Sequence, residues 1–514
     1  MKKFISLFLS VILLLSTPVF VCAEEIHSGL PEIHISLADG LTLETVNSGS
    51  KDTKYLNNTV TLTDSDKSEN TFENVEFKGR GNYTWNVPRM IKKPYQIKFN
   101  EKTKVFGFDK AKKWVLLANY SDATLMRNKL VFDAATKIGI PAPENTWADV
   151  FVNDEYIGNY LLCEKNEIGK GRVGLSDEYG VLCEIDGNYG LQEDMHFCTD
   201  IDNTVVVLSD SVADDVGEEN SISEKAFEMF RQKLNKFESV VYSEKASYAE
   251  IASLIDVDSF VKYYFIQELT EDPDGLRSSF FLYSDGENDV IHLGPLWDYD
   301  SALGAYATES LGGNTGVDYS LNIKTYMGAS SVDWFKELFK HEEFSEYATD
   351  VYNSEIKPVF EKMTAMIDDY LYKDAKKTAF YSSAEMNFVR WDSLLGTESV
   401  FGSNGHSYGT TFESEVEYLK TWITNRVEYL NNRYAAKNEP EKPTEPTDPT
   451  EPTDPTDPTE PTDPTEPTES TDPTEPTEPT EPQGDDPQES KTSFWDKILD
   501  FFKRIIEWFK NLFS

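Results

Sequence analysis

From Glu439 to Pro482 the chain repeats the triplet (Glu/Asp)-Pro-Thr, and no other stretch limits its fold so strongly. Proline at every third position fixes polyproline II backbone, and the like charges beside it stretch that backbone further. At roughly 3.1 Å per residue the run reaches on the order of 130 Å. It has no aliphatic or aromatic side chain, so it cannot bury a core and reads as a disordered linker. From Glu439 to Ser490 there are 18 acidic residues against a single lysine, Lys442, so this span holds −17 of the chain's net −43 and leaves −26 to the rest.

The linker divides the chain into 1–23, 24–438, 439–490 and 491–514. Met1 to Ala23 has the form of a secretory signal: Lys2 and Lys3, an apolar run from Phe4 to Val21, and Val-Cys-Ala23 before Glu24. Ser6, Ser10, Ser16, Thr17 and Pro18 interrupt that run, which favours a cleaved leader over an anchor. In the last segment Phe494, Ile498, Phe501, Phe502, Ile505, Phe509, Leu512 and Phe513 share one helical face. Asp496, Asp500, Lys503, Glu507, Lys510 and Asn511 lie opposite. Such a helix is too charged to span a bilayer and suits a membrane surface, or else a partner. The expectation is an exported protein, extracellular or tethered to its own cell envelope.

The body at 24–438 is aromatic enough to bury a large core, since the chain is 13% Phe, Trp and Tyr. Its acidity excludes nucleic acid, whose phosphates need a basic surface. With six His and no Cys-x-x-Cys, a structural zinc site is not expected. Cys22 leaves with the leader; Cys163, Cys183 and Cys198 remain, an odd number. Cys163 and Cys183 stand at like positions in two apolar strands, Tyr160–Glu164 and Gly180–Glu184, read as partners. A cross-strand disulfide is open, but buried free thiols fit strand-pair geometry better.

The segment from Asp256 to Gly304 carries the densest chemistry. Val257, Phe260, Val261, Tyr264, Phe265 and Leu269 recur at helical spacing after a capping Asp256 or Asp258. Glu268, Glu271, Asp272 and Asp274 then place four carboxylates within seven residues. Strands at Phe280–Tyr283 and Val290–Leu293 lead to Trp297-Asp298-Tyr299-Asp300. If Asp274 and Asp298 both sit at strand ends, they converge, and repelling carboxylates must take a proton or hold a cation. Asp272-Pro-Asp-Gly275 is equally good β-turn chemistry.

Nearer the amino end, Glu32–Leu37 and Thr59–Thr63 alternate like strands. Phe77-Lys-Gly-Arg80-Gly-Asn-Tyr-Thr-Trp85 reads as a turn whose N–H groups and Arg80 could face an anion, or as a plain hairpin with a basic tip. Lys92-Lys93-Pro-Tyr-Gln-Ile-Lys98-Phe99 follows as a strand. A helix opens near Asp122 and stops at Gly139 and Pro141. Arg127 within it either orders the acidic segment or caps a core.

These motifs, in this order, resemble the CotH kinase family over about residues 30 to 436. Arg80, Gly81, Asn82, Thr84 and Trp85 match its R-G-N-x-T-W. Lys93, Pro94, Tyr95, Ile97 and Lys98 match its K-P-Y-x-I-K strand, and Arg127-Asn128 its D-x-x-x-x-R-N. Asp272-Pro-Asp274 and Trp297-Asp298-Tyr299-Asp300 match its acidic core, and Trp422, Ile423, Arg426 and Leu430 its last helix.

The resemblance implies an α+β fold, an atypical protein-kinase-like body with an N-terminal mainly β lobe and a helical C-terminal lobe. It implies ATP and Mg²⁺ as cofactors and a protein substrate. Asp274 would orient the accepting hydroxyl; Asp298, with Asp300, would hold Mg²⁺; and Lys98 or Lys93, with Arg80, would meet phosphates. Arg127 and Glu164 would serve the nucleotide side, Glu164 facing either nucleotide or a basic residue. Ser279 stands where the family has an Asn for a second metal, and a hydroxyl is the weaker ligand. A kinase-like binding protein without chemistry is therefore the alternative. Paired carboxylates among aromatics would also suit glycoside hydrolysis, but no motif supports it.

Overall fold

The computed structural model describes residues 27–213, 220–306, 316–324 and 331–435. The leader at 1–23, the linker at 439–490 and the helix expected at 491–514 lie outside the described residues.

Seven strands come first: β1 (Glu32–Ser36), β2 (Tyr55–Thr63), β3 (Glu69–Gly79), β4 (Tyr95–Thr103), β5 (Ala111–Leu117), β6 (Asn145–Val152) and β7 (Glu155–Glu164). They close into a barrel in the order β1-β2-β3-β4-β5-β7-β6, shut by the parallel pair β1–β6. Asn153 and Asp154, both left-handed at φ 48° and 64°, make the expected turn between β6 and β7. Trp114, Leu116, Tyr160 and Leu162 fill the barrel, while Val115, Leu117, Leu161 and Cys163 face a second core outside it. Both faces of β5 and β7 are thus buried, which is why they read as unbroken apolar runs.

A five-stranded sheet follows, from β8 (Gly180–Ile185), β9 (His196–Cys198), β10 (Val205–Ser211), β11 (Phe280–Asp285) and β12 (His292–Leu293), in the order β12-β11-β8-β10-β9. The principal helices are α1 (Arg127–Ile138), α2 (Asn220–Val241), α3 (Val257–Thr270), α4 (Ala379–Arg390) and α5 (Phe412–Arg433). The fold is α+β. Beyond the barrel it is mixed rather than simply helical, because the sheet stands between β7 and the helices after 333.

Helix α3 is the centre. From Ser259 to Thr270 every side chain is buried, so it packs on all sides instead of showing one wet face. Asp256 takes its N-cap position, but its carboxylate pairs with His292 at 3.1 Å rather than bonding the helix end. No helix among the described residues is long and apolar enough to cross a membrane.

Two strand expectations need correction. Cys163 is in the barrel, opposite Val115 and Asn145, whereas Cys183 is in the second sheet, opposite Leu208 and Leu282. Strands buried on both faces look alike in sequence whichever sheet they join. Both thiols are free and buried. Nor is the Arg80 segment a tight hairpin tip, since residues 80–94 join β3 to β4 through one helical turn at Tyr83–Asn86. Trp85 folds back onto Gly79, where an added Cβ would lie 2.4 Å from the indole.

Candidate active site

Helix α3 ends at Thr270, and Glu271 leaves it in the left-handed region at φ 46°. Two of the four clustered carboxylates are structural. Glu268 accepts the N–H groups of Tyr319 and Ser320, and the Arg426 guanidinium of α5 pairs with it at 2.8 Å and with Glu271 at 3.2 Å. Asp272 and Asp274 go on into a loop packed so closely on α3 that a Cβ at Gly275 would meet Gln267 Oε1 at 1.9 Å. The Asp-Pro-Asp-Gly run is thus both a turn and part of a site, and the two readings do not compete.

Asp298 reaches the same place after β12, itself left-handed at φ 67°. Helix α1 fixes this run. Asn128 Oδ1 accepts the N–H of Tyr299 at 2.7 Å, and Arg127 Nε donates to the Ala302 carbonyl at 3.0 Å. Arg127 also pairs with Asp122 at 2.5 Å and is 1% exposed. The Arg127 guanidinium is spent on Asp122 and on the carbonyls of Ala302 and Leu303, so of its two readings the ordering of the acidic segment is the one these contacts support. Asp300 Oδ2 accepts from Ser121 Oγ at 2.5 Å, and Asp272 Oδ1 from Ser301 Oγ at 3.5 Å.

Asp272, Asp274, Asp298 and Asp300, from two loops, lie near enough to feel one another's charge. Burial, with the charge of the neighbouring carboxylates, holds Asp272 and Asp298 well above the usual carboxylate range. Burial raises Asp274 as well, against the pull of Arg277. It pushes Asp300 up to about 6, with the Ser121 hydrogen bond acting the other way. Arg80 is close by, its guanidinium 4.7 Å from the centroid of Trp297 and near enough to feel the charge of Asp298 and Glu184. Carboxylates that repel at low dielectric beside an arginine free to meet an anion are the makings of a cation-and-phosphate site.

The other candidates lie on β4, at the end of β7 and in the connections that precede β4 and β11. Lys98 stands in register with Glu76 and Lys113, three residues along β4 from the Gly79–Tyr95 pair, or roughly 10 Å at strand rise. Lys93 Nζ donates to the carbonyls of Thr84 and Trp85, closing the helical turn behind Arg80. Glu164 pairs with Arg172 at 3.1 Å, the basic-residue reading of that position, and burial pushes it up to about 7. Ser279, the residue just before β11, is in the left-handed region at φ 51°.

Sequence reasoning passed over Lys165 and Glu184. Lys165 shares the surroundings of Arg80 and Glu167 and lies 3.6 Å from the latter. Glu184 faces both Arg80 and Lys165 from β8 and is pushed up to about 8, chiefly by burial. A charged residue inside an otherwise apolar strand, Val-Leu-Cys-Glu184-Ile, was the available signal.

A family model described as CotH kinase protein matches residues 75–430. The inner spore coat protein H of Bacillus subtilis (strain 168) is 28% identical over 218 residues, covering 41% of this chain and 55% of that protein. The chain thus spans about half the length of this curated relative. A crystal structure of the Helicobacter pylori proinflammatory kinase CtkA aligns over 66% of this chain and 94% of its own, at 8% identity and a TM-score of 0.26. The chain belongs to the CotH kinase protein family.

Proposed function

We propose that the chain is an exported atypical protein kinase that transfers the γ-phosphate of ATP to hydroxyl side chains of a protein partner. The observation that carries this reading is that Asp274, from one loop, and Asp298 and Asp300, from another, feel one another's charge with Arg80 close to Asp298. No three His, Cys, Asp or Glu side chains among the described residues form a ready metal cage. That donor set suits Mg²⁺, which binds through one or two carboxylates plus substrate phosphates instead of an all-protein cage.

Asp298 and Asp300 would hold Mg²⁺, which when bound neutralises phosphate charge. Arg80 and Lys165 would contact the phosphates, and Asp274 would orient the hydroxyl. The protein does this by positioning and by a charge arrangement built in advance. The relative's name points to a coat or surface location, and the leader and terminal helix fit an envelope-tethered protein. Sedimentation with anionic vesicles, lost on deleting 491–514, tests the tether.

A second reading is a kinase-like binding protein with little chemistry, favoured by Ser279 in place of the family's Asn. The deciding experiment uses the full chain. Mg·ATP raises its melting temperature, Asp298→Ala abolishes the shift, and Asp274→Ala abolishes phosphate incorporation with the fold intact. Binding without incorporation in the unmodified chain selects the second reading; neither effect refutes the nucleotide site.

A further inference from the structure

The turn after β8 grips the Asp274 loop through contacts that the site as described leaves without a purpose. Asp186 Oδ1 accepts the N–H groups of Asn188 and Tyr189 at 3.0 and 2.9 Å, and Ser278 Oγ donates to it at 3.1 Å. Gly187 N–H donates to the Arg277 carbonyl at 2.8 Å. Above this frame Arg277 Nη2 donates to Asn188 Oδ1 at 2.6 Å, and Asn188 Nδ2 stands 3.5 Å from Asp274 Oδ1. Arg277 Nε is shut off from solvent with no hydrogen-bond partner.

A purely structural arginine spends its fork on carbonyls and carboxylates, as Arg127 and Arg426 do here. Arg277 instead makes one side-chain hydrogen bond, to a neutral amide, and faces the carboxylate of Asp274. It is three residues past Asp274 and only partly buried. An arginine held by one corner, with donors to spare beside the acid that receives the hydroxyl, is set for a planar anion.

We propose that Arg277 is a further catalytic residue, its spare donors meeting the phosphoryl group in transfer, and that Asn188 is the positioning residue that aims both Arg277 and Asp274. This rests on the phosphotransfer reading above. In the step, the acceptor oxygen bonds to the γ-phosphorus as the bond from that phosphorus to the bridging β-oxygen breaks. ADP leaves with the electron pair, and the hydroxyl proton passes to Asp274. Arg277 stabilises the equatorial oxygens as they carry the charge, an effect made in the transition state more than in bound ATP.

The test is steady-state Mg·ATP turnover by the full chain with water as acceptor, read as phosphate release, with a melting curve for every variant. Arg277→Gln lowers kcat about 100-fold with KM for ATP within about threefold, the size of losing one transition-state donor. Arg277→Lys recovers part of kcat, since charge returns without the fork. Asn188→Ala lowers kcat about tenfold and leaves KM alone, as loss of aim rather than of a contact predicts. Unchanged kcat in Arg277→Gln overturns the proposal, as does a rise in KM alone. Should Arg277→Gln fail to fold, Arg277→Lys and Asn188→Ala decide, and wild-type kcat in both overturns it. Absence of nucleotide binding and turnover in the unmodified chain sinks the phosphotransfer reading itself, and this proposal with it.

Discussion

Asn128 Oδ1 accepts the backbone N–H of Tyr299 at 2.7 Å, joining helix α1 to the middle of the Trp-Asp-Tyr-Asp run. Its own Nδ2 donates to Asn119 Oδ1 at 3.1 Å, so the amide is clamped from both ends. Asp298 and Asp300 stand on either side of the bonded N–H, and their separation depends on it. Asn128→Ala leaves that N–H buried and unpaired, which costs about 1–3 kcal/mol. Urea unfolding should show the loss, together with a smaller Mg·ATP shift than in the unmodified protein.

Arg426 predicts a larger effect. Its guanidinium and the Glu268 carboxylate are both 0% exposed, and Glu271 is 5% exposed. Arg426→Met strands two carboxylates in the core under α3. Breaking a buried pair from one side costs about 3–5 kcal/mol. Adding Glu268→Gln to Arg426→Met should recover part of that stability in urea unfolding, because one unpaired charge is then gone. Equal destabilisation of the single and double variants would mean that Glu268 is not the group left stranded.

Metal-free stability should fall as pH rises through the range where the site acids ionise. Asp300 is raised in the folded protein to about 6 from an ordinary value of ~3.9. A group raised on folding stabilises below its unfolded value, and that stability is lost as pH climbs through the folded one. Asp272 and Asp298 are shifted the same way. Melting temperature in EDTA should therefore drop between about pH 4 and pH 6, less steeply in Asp300→Asn. Mg²⁺ should raise it more at neutral pH than at pH 5, because protonated carboxyls bind no cation.

The periodic and motif-bearing parts of this chain are legible without coordinates. Helix α3 repeats its apolar residues, and the Asp-Pro-Asp and Trp-Asp-Tyr-Asp runs crowd carboxylates into two short stretches. Arg80 announces itself between two glycines. What stays hidden is decided by distant packing. Cys163 and Cys183 sit in near-identical apolar strands, and only the folded chain shows that they join different sheets. Glu268 and Glu271 look like site acids until Arg426, more than 150 residues away, claims them. Helix α4 gives little periodic signal, yet Asn387 and Ser383 on it bond Lys92 and Asp149 of the barrel side.

The lysine is the sharpest case. In β4, Tyr95, Ile97 and Phe99 point into the barrel, so Lys98 is on its outer wall beside Lys113. Lys165 follows the last residue of β7, where strand alternation no longer dictates direction, and there it shares the surroundings of Arg80 and Glu184. Burial lowers its pKa, against the charge of Glu167, so the cleft gains most by bringing an anion to it. Lys165→Ala should weaken Mg·ATP binding about tenfold or more, the worth of one charge-assisted contact. Lys98→Ala should leave it within about twofold, as a partly screened charge on the barrel's outer wall does. Calorimetric titration of ATP into the two variants separates them, and the reverse ranking would put the phosphates against the outer wall of β4.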